Sequence, residues 1–537
     1  MENSSSGIFS LLPEGAQDMT ESEAIAALVL SATHDENPSV SLDQIYSTLC
    51  QSRTESELDP LSLLPYLLPS RQPAAKSLIA LIGECGNAKE VMIAVQEILE
   101  RVQSALDEEE DDTDESVNES PSGQLISLIH LYTSAIPRLK LLKRSPSDTI
   151  RPLLAQVQST IQLAGSRLRR DQGREIIQSV SQLSRNVSSW ANEDSAACKV
   201  ILQSLLDTAV SECSHCIQSS IAQRSFENLY PRLTIRSTVE PGWEDGEKAI
   251  EDALTVYSSF GDLASLPPVP TTAYLVVLSH SKTVPRDIPK HLSFMLPILV
   301  ASIQANHALD ETLSLLLQWL HPSHFPAAQQ LSPDISGPLC ALLPALASSH
   351  PDTDVRHQTF RILSRVLALT PAELRLQILK DLVTDAGFPQ MRVAAVGLVK
   401  EAVLEALSET RPSIFASPIF LQVFGPVLLR PDGVELFRSP MSELEESMEP
   451  SRLVECLSLY YILSLRDTSN RTGIRDADQI SNVEKTLLAP LRSAVSRWMD
   501  DASVADAHMH AIMPLVSLKT SLERVDSAVE GLRSKSN

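Results

Sequence analysis

Apolar positions near the middle of the chain recur at helical spacing, and then the whole series recurs as a block. Leu342, Leu343, Leu346 and Ala347 are followed by Val355-Arg356; the series returns as Ile378, Leu379, Leu382 and Val383, followed by Met391-Arg392. Each member of the second copy stands 36 residues after its counterpart. Pro351, Pro371 and Pro389 fall between the apolar stretches, where they separate helices of about a dozen residues. A unit of roughly 40 residues, made of two apolar-faced helices and a break, is the signature of a HEAT or armadillo-type repeat. One such unit cannot bury its apolar face alone, so neighbours must stack. The pattern predicts an all-α chain folded as an elongated HEAT/armadillo-like solenoid.

The same reading divides the rest of the chain. Residues 1–106 read as N-terminal helical repeats, on Ile25, Leu28 and Val29, then Leu78 to Ile82, then Val91, Ile98 and Val102, cut by Pro60, Pro65, Pro69 and Pro73. Residues 107–124 read as a disordered acidic linker, because eight of the nine positions from Asp107 to Glu115 carry the same charge and cannot pack. Two uses stand for it: a solvated spacer, or a latch onto Arg138, Lys140, Lys143 and Arg144 tuned by phosphorylation of Ser116. Residues 125–236 read as long helical hairpins, and 237–272 as a loop-rich connection marked by Pro241-Gly242 and Leu266-Pro-Pro-Val-Pro270. HEAT-like repeats follow over 273–437, a loop over 438–450 and a C-terminal helical block over 451–537. An apolar–Pro–apolar signature recurs at Pro297, Pro344, Pro490 and Pro514. Each of these prolines either kinks a helix or starts one, and the sequence leaves both open.

Composition supports stacked helices. Aromatic residues make up 4% of the 537 and glycines number 17, against 43% apolar residues, a balance unlike that of glycine-rich α/β enzymes. The net charge is −24, and residues 1–120 hold 24 acids against 5 bases. A chain so charged is repelled as a whole from nucleic acid and anionic lipid. Seven scattered cysteines read as reduced thiols of a cytoplasmic protein, with the nucleus as a second compartment. No basic, apolar leader opens the chain, and apolar runs such as Phe294 to Ala301 fall short of the roughly 18 residues that a membrane span needs.

Candidate chemistry is sparse. Cys213-Ser-His-Cys216 has redox spacing, but it sits inside a helical pattern with no strand before it and no second Cys/His pair nearby. Its readings are two thiols on a core-facing stripe, or a pair of responsive redox thiols, Cys213 and Cys216. His321, His324, His508 and His510 lack acids or cysteines in register for a metal. Phosphate loops, dinucleotide fingerprints and nucleophile elbows are absent from the sequence. The chain is therefore expected to be a non-enzyme, with no catalytic residue, metal or cofactor. Arg356 and Arg392 share a repeat position and would tie neighbouring repeats through an acid such as Asp354 or Asp381. The alternative is a basic, partner-binding strip of Lys380, Arg392 and Lys400.

Leu376-Gln-Ile-Leu-Lys-Asp-Leu382 with Pro389-Gln-Met-Arg-Val-Ala-Ala-Val-Gly-Leu-Val-Lys-Glu401 resembles the glomulin / YAP-binding / aberrant-lateral-root-formation family of HEAT-like repeat proteins. Asp354 to Leu363 and Ile136 to Lys143 are similar too. The resemblance implies a helical-repeat scaffold without catalysis and with protein partners. Animal-type members cap the RING-box subunit of cullin–RING ubiquitin ligases; others bind a stress-responsive bZIP transcription factor during oxidative stress, or associate with kinetochores. The expected function is thus regulation of a cullin–RING ligase by capping. The alternative is an adaptor for a bZIP factor, or a kinetochore-associated scaffold. The matching motif is a packing motif, so it assigns no contact residue.

Overall fold

In a computed structural model the described residues are 8–11, 19–35, 38–52, 57–108, 119–141, 144–191, 195–234, 239–263, 265–326, 329–385, 387–409, 411–430, 437, 448–504 and 509–536. Among them the chain is all-α, a helical repeat with no strand. The acidic run lies outside the described residues from 109 to 118, and so does most of the expected loop at 438–450. The fold divides into two compact units: residues 1–285 with 297–315, and residues 286–296 with 316–537.

Unit 1 opens with α1 (Glu21–His34), α2 (Leu42–Ser52), α3 (Pro60–Leu67), α4 (Pro73–Cys85) and α5 (Ala88–Asp107). It continues through α6 (Pro121–Ala135), α7 (Pro146–Ala164), α8 (Arg170–Trp190), α9 (Ser195–Glu212) and the single turn α10 (Ser214–Ile217). Next come α11 (Ile221–Leu229), α12 (Trp243–Phe260) and α13 (Thr272–His280), and then α14 (Ile288–Ala305) and α15 (Leu309–Trp319), whose residues fall in both units.

Helix starts follow local chemistry. Thr20 and Glu23 form a reciprocal capping box, and Asp59, Asn87, Ser120, Ser145 and Thr271 accept from first-turn amides. Pro60, Pro73, Pro121 and Pro146 occupy first helical positions, where no partner for the missing N–H is lost.

From α1 to α9 the helices stack on their second neighbours in sequence, and α12 and α13 then continue on α8 and α9. One layer runs α1, α3, α5, α7, α9 and α13; the other runs α2, α4, α6, α8 and α12. Each helix thereby buries one stripe against its hairpin partner and another against the next repeat. Amides lace the first layer. Gln103 Nε2 of α5 donates to Ser159 Oγ at 2.8 Å and Thr160 Oγ1 at 2.9 Å on α7, and Gln158 Nε2 of α7 donates to Thr208 Oγ1 of α9 at 2.8 Å. The stretch expected to be loop-rich, 237–272, carries the 18-residue α12. Ala249, Ile250, Ala253, Val256 and Tyr257 give it a buried stripe at helical spacing, and Gly242 at φ 80° turns the chain into it.

Unit 2 contains α16 (Pro333–Ser349), α17 (Thr353–Leu369), α18 (Ala372–Thr384), α19 (Pro389–Ser408), α20 (Pro418–Phe424), α21 (Glu449–Arg466), α22 (Ala477–Val483), α23 (Ala489–Val504) and α24 (Met509–Ser536). The 36-residue repeat is the pair of hairpins α16–α17 and α18–α19. Burial repeats at the same offset: Leu343 and Leu379 are fully covered, as are Leu363 and Val399, while Ile362 and Leu398 follow suit. Pro297, Pro344 and Pro514 lie inside helices. Pro490 sits in the first turn of α23, directly after a π-turn at Glu484–Leu488. That wider turn lies where the proline ring would otherwise meet the carbonyl four residues back.

By length and composition α14 is apolar enough to cross a membrane, longer than the run from Phe294 to Ala301 suggests, because the helix continues through Pro297. Its Leu292, Met295 and Leu299 form one fully buried stripe.

Close approach is concentrated at α10. Its Cys216 packs on α8 at Gly173, where a Cβ would fall 2.5 Å from Cys216 Sγ, and its Ile217 on α12 at Gly246, where a Cβ would fall 2.0 Å from the Ile217 carbonyl oxygen. Gly246→Ala should therefore destabilise by roughly 1–3 kcal/mol or more, since backbone must shift. Gly397→Ala, in the open interior of α19, should stabilise by about 0.5–1 kcal/mol. Urea melts of the two variants test both signs.

Asp310, at the start of α15, accepts the Ile221 and Ala222 amides at 2.8 and 2.9 Å and so caps α11 across the unit. Burial, and then Glu311 beside it, push its carboxyl up to about 6, partly offset by those amides and by His280. A raised folded value means that this group's contribution is fully present below the ordinary carboxylate range and is lost as pH rises through about 6. Between pH 5 and 7, wild type should lose on the order of 1 kcal/mol relative to Asp310→Asn. Parallel pH-dependent denaturation of the two proteins checks the sign.

Candidate interaction site

The expected basic strip is largely spent inside the fold. Arg392 of α19 pairs with Glu449 at the start of α21, and Glu449 also holds Arg452 at 2.8 Å. One turn-pair further along, Lys400 Nζ meets Glu455 at 3.1 Å, so α19 and α21 are clamped twice along their contact. Lys380 is exposed, and no ion pair reaches it among the described residues. The three residues thus do not act as one cationic strip: two are clamps and one is a solvent-facing charge.

The shared position of Arg356 and Arg392 does not mean a shared role. Arg356 donates to the His350 carbonyl at 2.6 Å and the Pro351 carbonyl at 3.0 Å, closing the α16–α17 turn. Arg392 does bond an acid, but its partner is Glu449, neither Asp354 nor Asp381.

Cys213 and Cys216 are buried, at 0% and 1% exposure. Burial pushes the Cys213 thiol well above its ordinary value and the Cys216 thiol up to about 11, so both are protonated at neutral pH. Arg174 donates to the Cys216 and Ile217 carbonyls at 3.0 and 2.6 Å and caps the end of α10. The motif's spacing serves helix packing. Cys50 and Cys85 are exposed.

His321 and His324 bond Ser323 Oγ and the Gln318 carbonyl at 2.7 and 2.8 Å. Among the described residues no group of three or more His, Cys, Asp or Glu could hold a metal. His508 lies outside the described residues.

A feature that apolar periodicity could not show is a groove of about 790 Å³ on the α4–α6–α8 layer. Its charges are mixed: Arg71, Lys76 and Arg169 against Glu119, Asp171 and Glu175. Lys76 lies 3.9 Å from Glu119 and Arg169 3.8 Å from Asp171. His130 at the groove bonds Ser179 Oγ at 2.8 Å, but Ser179 is 2% exposed and its hydroxyl faces the helix–helix contact. Burial lowers the His130 pKa. Ser127, Thr133 and Ser134 also line the groove.

In the native protein, iodoacetamide should label Cys50 and Cys85 and leave Cys213 and Cys216 unmodified until the unit unfolds. Peptide mass spectrometry showing Cys216 labelled as fast as Cys50 would restore the redox reading.

Comparison with known proteins places the helical architecture in a lineage. A family model described as an uncharacterised protein family, YAP/Alf4/glomulin, matches residues 272–534. Aberrant root formation protein 4 of Arabidopsis thaliana is 26% identical over 156 residues, which cover 27% of this chain and 24% of that relative. The chain thus aligns to about a quarter of that relative's length. Of the segments that carried the resemblance, those at 354–363 and 376–401 fall within the family match, and 136–143 falls outside it. Through the hairpins α16–α17 and α18–α19 and the helices stacked after them, this chain belongs over residues 272–534 to the YAP/Alf4/glomulin family.

Proposed function

We propose that this chain is a non-catalytic interaction scaffold that regulates a cullin–RING ubiquitin ligase by covering its RING-box subunit. The observation that carries the reading is the family match over residues 272–534, which makes up most of unit 2. Two physical features support it. The α19–α21 contact is clamped by Arg392–Glu449 and Lys400–Glu455, so the surface built on it is preorganised and loses little entropy on binding. Coverage of about 800 Å² per partner suffices for a stable complex, and exclusion of a competitor then needs only overlap of footprints. The partner is a protein in the cytoplasm or nucleus. The second expectation, an adaptor with Cys213 and Cys216 as sensing thiols for a bZIP factor, draws no support from their burial.

The test is reconstitution. The purified chain, mixed with a recombinant cullin–RING-box complex, should co-elute in size-exclusion chromatography and should slow discharge of ubiquitin from the conjugating enzyme. Separate elution with unchanged discharge would overturn the proposal.

A further inference from the structure

The end of α12 and the start of α13 are joined by the turn Leu266-Pro267-Pro268-Val269-Pro270, which borders a cavity of about 580 Å³. Three aromatic side chains line this cavity, Tyr257 and Phe260 from α12 and Tyr274 from α13, in a chain that is only 4% aromatic. Two carboxylates line it as well, Asp207 from α9 and Asp262 just after the end of α12. The Tyr257 hydroxyl donates to Asp207 Oδ1 at 2.6 Å. Among the described residues no basic side chain pairs with Asp207. Burial holds the Asp207 carboxyl above the usual carboxylate range, and the Tyr257 hydrogen bond only partly offsets this.

A partly buried carboxylate without a counter-charge costs stability, and it finds its complement in a cation that can itself shed water cheaply. Aromatic faces select such a cation. Their quadrupoles attract positive charge, and their apolar surface suits alkyl groups that a hydrated ammonium does not carry. We propose that this pocket binds an alkylammonium group, presented either on a methylated lysine of a protein partner or on a free quaternary amine.

The volume lies within the roughly 300–1,000 Å³ of ligand sites. Pro267 and Pro268 fix φ along one wall, so little ordering is lost on binding. Anions are repelled by the two carboxylates, and unmodified lysine is disfavoured by the strong hydration of its ammonium. The pocket is built from residues 203–277, almost entirely outside the family match, so the inference stands or falls apart from the RING-box reading.

The experiment is calorimetric titration of the full chain with choline, with a short peptide carrying one trimethyl-lysine, and with the same peptide unmethylated. Saturable binding of a methylated ligand is expected, at least about tenfold tighter than the unmethylated peptide. Asp207→Asn and Tyr274→Ala should each weaken it by about tenfold while the thermal melt stays cooperative. If Tyr274→Ala fails to fold, Asp262→Asn at the exposed rim serves as the second variant. Tighter binding of the methylated peptide than of choline assigns the ligand to a protein partner; the reverse order assigns it to a free amine. Absence of saturable binding by either methylated ligand overturns the proposal. So does binding that is indifferent to both substitutions.

Discussion

Each helical hairpin in this chain has more apolar surface than its own two helices can cover, and the architecture follows from that excess. In unit 1 the remainder is buried by stacking helices two apart from α1 to α9, with α12 and α13 continuing on α8 and α9, so that two layers grow side by side along the sequence. Burying a Leu, Ile or Val side chain contributes roughly 1.5–3 kcal/mol, and every hairpin contributes several such residues to both of its neighbours. A hairpin removed from the stack would therefore expose two faces at once. The same constraint explains the repetition of burial at a 36-residue offset in unit 2, where Leu343, Leu363, Leu379 and Val399 are all fully covered.

Polar groups at these contacts are arranged to complete the stacking without adding a separate core. Gln103 and Gln158 bridge consecutive helices of one layer through hydroxyls. Many arginines end on main-chain oxygens: Arg138 on Gly83 and Gly86, Arg174 on Cys216 and Ile217, Arg365 on Leu320 and Phe325, Arg475 on Ser464. Helix ends leave carbonyls without partners, and a guanidinium fork satisfies two of them together. These arginines are thereby drawn into the fold as caps of helix ends. Unit 2 adds a further device in Asp467, 1% exposed, whose carboxylate accepts from Arg471 N, Thr472 N and Thr472 Oγ1 and so fixes the turn after α21.

Irregular backbone appears where the packing demands it. The π-turns at Gly425–Leu429 and Glu484–Leu488 meet through Thr486 Oγ1, which donates to the Leu429 carbonyl at 3.2 Å. Gln218 and Ser220, at φ 43° and 50°, flank the short link between α10 and α11, and Asp310 caps the helix that follows. Such left-handed residues other than glycine persist only where surrounding contacts over-determine them. Next to this link, Gly173 and Gly246 let α8 and α12 close on the single turn carrying Cys216.

The one-dimensional pattern determined the all-α class, the paired helices, the 36-residue offset and the helix starts at prolines and capping side chains, because period, propensity and capping act within a few residues. It also carried the family resemblance at 354–401. It missed α12, whose stripe of Ala249, Ile250, Ala253 and Val256 is short and lies between two strong turn signals. Tertiary structure alone decided the partners of charge and the shape of cavities. Arg392 finds Glu449 across 57 positions, Asp207 finds Tyr257 across 50, and the groove on α4, α6 and α8 draws on residues from 71 to 182. The physical reason is that stacking brings second-neighbour helices together, and which exposed positions then face one another depends on helix rotation and crossing, quantities no local pattern encodes.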